Sequence, residues 1–139
     1  MSEESTNPDL VALTRGLSEA PSVDESLAYY APDAVYDMSR MGMTTFEGRE
    51  AIGVFFSDWH GNYDEYEDEI QEIVHVGGGI VFVVVRQNAR PAGSPQHVRL
   101  RDLYGYTFVW EGDKVVHATV YPDVDEARAA AERLAEDRG

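Results

Sequence analysis

The segment IVFVVVRQNA, residues 80–89, constrains the fold most because its first six positions are all apolar. Successive side chains of a β-strand point to opposite faces of the sheet. A strand that is apolar at both parities therefore has to be covered on both faces. We expect helices of the same chain on one face and a partner subunit on the other, because an uncovered apolar stripe of this size is rare on a monomer. The segment thus predicts a layered fold and a homodimer.

The neighbouring segments alternate apolar and polar residues, as half-buried strands do. Residues 66–76 set apolar even positions such as Tyr66 and Ile70 against acidic odd positions such as Glu67. Gly77-Gly78-Gly79 then marks a hairpin turn into residues 80–89. Across residues 97–110 the even positions are the apolar and aromatic ones, so we expect them to face the core. A last strand, 114–121, follows the turn WEGDK, and a shorter strand, 34–38, precedes the others.

Three helices are predicted before the main part of the sheet. The second is expected to run through Tyr30 and to stop before Pro32, because proline disfavours a helical conformation in the residue that precedes it. The third ends at Gly61-Asn62. The first two starts are recognised by capping residues, which accept hydrogen bonds from free backbone N–H groups. The predicted helix starts are Asn7-Pro8, Ser22 with its capping-box partner Glu25, and Arg49.

This order of helices and strands indicates an α+β fold. A strongly curved, mainly antiparallel sheet wrapped on three N-terminal helices leaves a cone-shaped cavity, and we predict this α+β cone for residues 7–128. Residues 1–6 are polar and are expected to be disordered. Residues 129–139 are expected to be the end of a terminal helix or a tail. A chain of 139 residues has the length of one domain with a sizeable core.

Charge and composition narrow the classes of partner. A formal net charge of −15 disfavours nucleic acid and anionic membrane surfaces. The chain has no cysteine, and its four histidines lack the spacing of metal motifs, so we predict neither a metal site nor a cofactor. The N-terminus does not resemble a signal peptide, and no apolar run reaches 18 residues. We therefore expect a soluble cytoplasmic protein.

Asp37 is the strongest single candidate for chemistry. It lies near the end of the predicted strand 34–38, and a loop with Met38, Met41 and Met43 follows. A carboxylate among apolar side chains loses solvation, which raises its pKa and suits a general base near neutral pH. Methionine side chains adapt to irregular apolar ligands. The alternative is structural: an acid at a strand end that caps the backbone of the following loop.

Three stretches carry a family resemblance: YYAPDAVYDMS, FEGREAIGVFFSDW and VWEGDKVVHATVYPDVDEA. With this order of elements, about residues 8–128 resemble the nuclear-transport-factor-2-like superfamily, and more closely its SnoaL-like branch. The resemblance implies a cone-shaped α+β barrel with a pocket for a small molecule. Members of the superfamily include ketosteroid isomerases, polyketide cyclases, epoxide hydrolases, dehydratases and non-catalytic binding domains, so the fold does not decide the chemistry.

The resemblance to the isomerases assigns roles to single positions. Their proton-shuttling aspartate corresponds to Asp37, and their second oxyanion donor falls near Tyr106, whose hydroxyl is suited to donate a hydrogen bond to an enolate. Two isomerase tyrosines correspond to Thr14 and Phe56 here, so steroid isomerisation itself is not expected. The Arg and Asp pattern of the epoxide hydrolases is not matched. His117, the candidate for a dehydratase-type site, is expected to point away from the cavity.

Two hypotheses about function follow. In the first, the protein is a cofactor-independent enzyme of isomerase or polyketide-cyclase type, in which Asp37 takes a proton from a carbon beside a carbonyl and Tyr106 stabilises the enolate. In the second, the domain binds a hydrophobic small molecule without catalysis or serves dimerisation. For both, we predict that the pocket wall includes six further residues from the helices and strands: Tyr30, Phe56, Trp59, Asp102, Tyr104 and Ala118.

Overall fold

The computed structural model describes residues 9–95, 98 and 100–138. The helices in this part of the chain are α1 (Leu10–Ser18), α2 (Val23–Leu27), α3 (Arg49–Gly61) and α4 (Val124–Arg138). The strands are β1 (Tyr30–Asp37), β2 (Thr45–Glu47), β3 (Tyr63–Gly77), β4 (Ile80–Pro91), β5 (Leu100–Glu111) and β6 (Lys114–Tyr121). A short 3₁₀ helix, Ser39–Met41, lies between β1 and β2.

The strands form a single curved sheet in the order β2-β1-β6-β5-β4-β3. β1 runs parallel to β6, and the other neighbouring pairs are antiparallel. The pairing of β3 with β4 shifts register at three places along its length. Such bulges bend a strand and increase its twist, which accounts for the curvature at this end of the sheet. The α+β fold predicted from the sequence is confirmed.

The concave face of the sheet packs against α1 and α3 and holds the main core. The odd positions of β4, such as Val81 and Val83, point to this side and meet Ile52 of α3 in one cluster of buried side chains. A buried hydrogen bond crosses this core: Trp110 Nε1 on β5 donates to Thr14 Oγ1 on α1 over 3.1 Å. On β5, the even positions from Tyr104 to Trp110 join the concave core, as the alternation predicts.

The convex face is covered by α4, and this removes the basis of the predicted homodimer. The even positions of β4, among them Phe82, are buried against Ala127 and Ala131 of α4. The small alanine side chains let the helix approach the sheet closely. The apolar stripe that suggested a partner subunit is therefore buried within the chain itself. Residues 129–138 belong to this packed helix, and the homodimer stays a prediction without that surface as its argument.

Two helix boundaries differ from those predicted. Asn7-Pro8 and residues 1–6 lie outside the described part of the chain, and the start of α1 is capped by Asp9, whose Oδ1 accepts a hydrogen bond from the backbone N of Ala12 (3.1 Å). The second helix ends at Leu27, and Tyr30 starts β1 instead of continuing the helix. The pairing of Tyr30 with Val115 on β6 outweighs helical preference there.

The predicted start of the second helix and both ends of the third are confirmed. Ser22 Oγ accepts from the backbone N of Glu25 over 3.1 Å and donates to the Glu25 carboxylate over 3.1 Å, so Ser22 caps the helix as predicted. α3 begins and ends at the predicted residues. No helix within the described residues is both long enough and apolar enough to cross a lipid bilayer.

Candidate functional site

Two adjoining cavities lie between the concave face and the helices. The first, which we call the Asp68 cavity, has a volume of about 120 Å³. The second, the Gln87 cavity, has a volume of about 40 Å³. Four aromatic residues line both, and so form the partition between them: Tyr36, Phe56, Tyr66 and Tyr106. Beside these, the Asp68 cavity is lined by Tyr30, Asp68 and Val83, and the Gln87 cavity by Met38, Met41 and Gln87.

Cross-strand register brings three polar residues into one row on the sheet. Asp68 on β3 lies directly opposite Gln87 on β4, which lies directly opposite Asp102 on β5. Directly opposed side chains on one face have Cβ atoms about 4.5–5.5 Å apart. Tyr66 precedes Asp68 by two positions on the same face, and its hydroxyl donates a hydrogen bond to Asp68 Oδ2 over 3.2 Å. The row therefore places an acid and an amide side by side at the cavities.

The tyrosines of the partition are held in their neutral form. Burial raises the pKa of Tyr36 well above its ordinary value, and electrostatic interactions with Tyr30 and Asp68 raise it further. Burial has the same effect on the pKa of Tyr106. The hydroxyl of Tyr106 interacts with that of Tyr36 as a hydrogen-bond partner. Neutral phenols keep their O–H, so these side chains are hydrogen-bond donors at any physiological pH.

Asp68 is the acidic residue that lines the cavity beside these tyrosines. Desolvation raises the pKa of its carboxyl to about 6, and the hydrogen bond from Tyr66 offsets part of that rise. The residue is nonetheless exposed to solvent on one side and lines the Asp68 cavity, so a ligand can reach the carboxylate. The ionised form can therefore accept a proton from a bound molecule, and a pKa close to the working pH is what a general base needs.

Asp37 is placed differently from the prediction, which put it in the cavity wall. It follows Tyr36 on β1, points to the other face of the strand, and lines neither cavity. Its Oδ1 accepts hydrogen bonds from the backbone N of Ser39 (2.8 Å) and from Oγ1 of Thr45 (3.2 Å). Partial burial by itself would raise the pKa of Asp37, but these hydrogen bonds and the nearby His117 outweigh burial, and the pKa is lowered. The expectation of a raised pKa is wrong, and the contacts are those of the structural alternative, a cap on the loop.

The motif FEGREAI serves to fix α3 against the sheet. Gly48 precedes the helix with a φ of +93°, a conformation that residues with a side chain rarely adopt, and its N–H donates to the carbonyl of Ala34 on β1 (2.8 Å). The guanidinium of Arg49 donates to the carbonyl of Tyr30, with Nε at 3.1 Å. These contacts orient the helix that carries Phe56 to the partition.

The remaining predicted pocket residues divide into two groups. Tyr106 and Phe56 line both cavities, Tyr30 lines the Asp68 cavity, and Trp59 and Tyr104 line the Gln87 cavity. Ala118 is fully buried in the core opposite Tyr36 and lines neither cavity. Asp102 is exposed and lines neither cavity, with its Oδ2 3.5 Å from the hydroxyl of Tyr104.

Two positions weighed by resemblance lie outside the cavities. Thr14 is fully buried, and its Oγ1 donates to the carbonyl of Leu10 (2.7 Å) while accepting from Trp110, so its hydroxyl is committed to the core. His117 lies on the convex side in a groove beside α4, away from the cavities, as expected. Within residues 9–95, 98 and 100–138, no three His, Asp or Glu side chains are grouped so as to hold a metal ion.

Sequence reasoning missed Asp68 and Gln87, although parity could have found both. Asp68 shares the even parity of Tyr66 and Ile70, the apolar positions of β3. Gln87 shares the odd parity of Val83 and Val85 on β4. A polar residue at an inward position of an otherwise apolar strand face is an informative exception, because burying an unpaired polar group costs free energy.

A family model described as a SnoaL-like domain matches residues 12–118 of the chain. No curated protein sequence matches this chain. The match therefore covers all of the helices and strands that form the two cavities except the first two residues of α1 and the last three of β6.

Several solved structures have the same fold. A predicted SnoaL-like polyketide cyclase from Jannaschia sp. CCS1 superposes with a TM-score of 0.72 at 14% identity, over 95% of this chain and 97% of that chain. A hypothetical protein with a ketosteroid isomerase-like fold from Catenulispora acidiphila, in complex with trimethylamine, gives 0.69 at 16% identity, over 84% and 86%. TerC, co-crystallised with polyporic acid, gives 0.66 at 15% identity, over 88% and 95%. At these identities the similarity establishes the fold alone.

Proposed function

The chain belongs to the SnoaL-like domain family, and we propose that it binds a small, largely hydrophobic ketone in the two cavities and transfers a proton at the carbon beside the carbonyl. The observation that carries the proposal is the position of Asp68. Desolvation raises the pKa of its carboxyl to about 6, the hydroxyl of Tyr66 donates a hydrogen bond to it, and neutral tyrosines line the same cavity. The general base proposed from the sequence, Asp37, is thereby replaced by Asp68.

The proposed step balances as a simple proton transfer. The carboxylate of Asp68 takes a proton from the α-carbon, and the electron pair of the C–H bond moves onto the carbonyl oxygen to give an enolate. The hydroxyl of Tyr106 or Tyr36 donates a hydrogen bond to that oxygen as its charge develops. In an isomerase, Asp68 then delivers the proton to a different carbon of the conjugated enolate. In a cyclase, the enolate carbon instead adds to a second carbonyl carbon, and the oxygen of that carbonyl takes the proton from Asp68.

A non-catalytic pocket protein is the second candidate, and the contacts of Thr14 favour it. Where the isomerases carry a tyrosine on the first helix, this chain has a threonine whose hydroxyl is bound to Leu10 and Trp110. Helix α1 therefore supplies no donor to the cavity from this position. In this reading, Asp68 and the tyrosines only bind the polar end of a ligand, and the protein carries or senses that molecule.

The exchange of α-protons for deuterium separates the two candidates without knowledge of the natural substrate. The probe is 1-tetralone in D₂O, followed by proton NMR, and polyporic acid serves as a competitor because TerC was co-crystallised with it. We expect the wild-type protein to accelerate exchange and Asp68→Asn to slow it by about 10²–10⁴-fold, since only the base is lost. Tyr106→Phe should slow it by about 10²-fold.

Asp37→Asn is the matched control, because it removes the same charge from an acid outside the cavities. It should exchange deuterium at close to the wild-type rate. Equal rates for wild type and Asp68→Asn would remove the general-base proposal. Binding of the ketone without any acceleration of exchange would favour the non-catalytic pocket protein.

A further inference from the structure

Gln87 is a polar residue in the apolar concave face of β4. The residue is 2% exposed, and the neighbouring inward positions on the strand are Val83, Val85 and Ala89. Cross-strand register places it between Asp68 and Asp102, and it lines the Gln87 cavity together with Met38 and Tyr104. An apolar side chain of the same length would fill this position with no polar group to satisfy.

The amide of Gln87 has an unused donor. Among the described residues, Nε2 has no hydrogen-bond partner, although the atom is buried. Buried polar side-chain atoms are nearly always hydrogen-bonded, and an unpaired one costs folding free energy. An unpaired donor facing a cavity therefore points to a bound acceptor, because such a ligand would recover the lost hydrogen bond.

We propose that Gln87 determines ligand specificity by donating a hydrogen bond from Nε2 to an oxygen acceptor on the ligand. The proposal depends on one part of the proposed function, the binding of a ligand in the cavities. It does not depend on proton transfer. It adds a description of the ligand. The Gln87 cavity, at about 40 Å³, accepts a small substituent but not a ring. The ligand is thus an apolar body in the Asp68 cavity that extends an uncharged oxygen group, a carbonyl or an ether, past the partition to Gln87.

The uncharged character of the oxygen group follows from the neighbouring charges. Asp68 lies directly opposite Gln87 on one side and Asp102 on the other. A carboxylate or phosphate on the ligand would be placed beside two acids, which is unfavourable. A carbonyl oxygen accepts the amide hydrogen without adding negative charge.

A matched pair of probes tests the proposal: 1-tetralone and tetralin, which differ in the ketone group. Their dissociation constants are measured by quenching of tryptophan fluorescence, since Trp59 lines the Gln87 cavity. The variant is Gln87→Met, which keeps the length of the side chain and removes its polar atoms. The control is Asn88→Met, which also replaces an amide side chain with methionine. Asn88 is the next residue and lies on the other face of the strand.

We expect the wild-type protein and Asn88→Met to bind 1-tetralone at least about tenfold more tightly than tetralin, as one hydrogen bond allows. Gln87→Met should reduce this preference to about threefold or less, with the affinity for tetralin equal or higher. A preference that survives in Gln87→Met overturns the proposal. Failure of the wild-type protein to bind either probe overturns both this proposal and the proposed function.

Thermal unfolding without ligand supplies a second measurement. If Nε2 is unpaired, Gln87→Met should have a melting temperature equal to or above that of the wild type. A residue with a purely structural role would give the opposite, and a fall of several degrees overturns the proposal. The two proposals also fail separately: a Gln87-dependent preference without deuterium exchange removes only the catalytic function, and exchange with an unchanged preference removes only the role of Gln87.

Discussion

The hydroxyl of Tyr66 donates a hydrogen bond to Oδ2 of Asp68 over 3.2 Å, and both residues lie on the inward face of β3. The contact favours the ionised form of Asp68, whereas desolvation favours the protonated form, and desolvation wins, since the pKa is raised to about 6. Ionisation of the carboxyl at this position therefore lowers the free energy of unfolding. That cost is a measurable property of the site, independent of any ligand.

The first prediction concerns stability and pH. Because the pKa of Asp68 is higher in the folded protein than its ordinary value of 3.8, its contribution to stability is fully present below about pH 4 and is lost as the pH rises through about 6. Asp68→Asn cannot ionise and lacks this loss. Urea unfolding at several pH values should show the variant gaining stability relative to the wild type between pH 4 and pH 7. The control Asp58→Asn, on the exposed side of α3, removes one charge elsewhere and should show no such gain.

The second prediction has the opposite sign and concerns Asp37. Its pKa is lowered, so its contribution to stability is present above pH 3.8 and is lost as the pH falls through its folded value. Asp37→Ala removes the acceptor for Ser39 and Thr45 and should lower the free energy of unfolding at pH 7 by about 1–2 kcal/mol. The deficit should shrink toward pH 3. Wild-type stability of Asp37→Ala at pH 7 would argue against the loop cap.

The third prediction tests the buried contact between the first helix and the sheet. Thr14→Val keeps the shape of the side chain but leaves Trp110 Nε1 without its acceptor, which should cost about 1–3 kcal/mol in urea unfolding. Thr14→Ser keeps the hydroxyl and serves as the control. It should cost less than Thr14→Val, although it removes a methyl group. The reverse order would mean that packing of the methyl group, and not the hydrogen bond, is what matters at this position.

The fourth prediction concerns the packing of α4 on the convex face. A Cβ atom added at Gly105 would lie 2.4 Å from the Cβ of Ala127, so Gly105→Ala forces the helix away from the sheet. We expect a loss of about 1–3 kcal/mol in the free energy of unfolding, as for other overpacked cores. Ala127→Gly should restore most of it in the double variant, which makes the two changes strongly non-additive. Additive effects would show that α4 does not rest on Gly105.

Local signals in the sequence were sufficient for most of the fold. Three local signals each predict a preference that the tertiary structure keeps: the helix cap at Ser22, the glycine turn at 77–79 and the alternation of β5. Tyr30 is the exception among them, since pairing with β6 places it in a strand. The conformation of Tyr30 depends on this long-range pairing, which a local sequence pattern does not contain.

The candidate site was harder to predict because it depends on which face a side chain occupies. The sequence predicts that Asp37 faces the cavity, but its neighbour Tyr36 faces it instead, because a shift of one position moves a strand residue to the other face. Asp68 followed the inward parity of β3 and was overlooked among many surface acids. The cover of the convex face was also missed, although Ala127, Ala130 and Ala131 have the spacing of one helical face.

The titration of the Asp68 carboxyl by carbon-13 NMR tests the central claim most directly. The resonance is assigned by its absence in Asp68→Asn, and its chemical shift is followed from pH 3 to pH 9 in the protein without ligand. The account predicts a midpoint at about pH 6, which would show that the acid at the cavity is desolvated and suited to accept a proton near neutral pH. A midpoint at or below the ordinary value of 3.8 would contradict it, since Asp68 would then be a well-solvated surface acid.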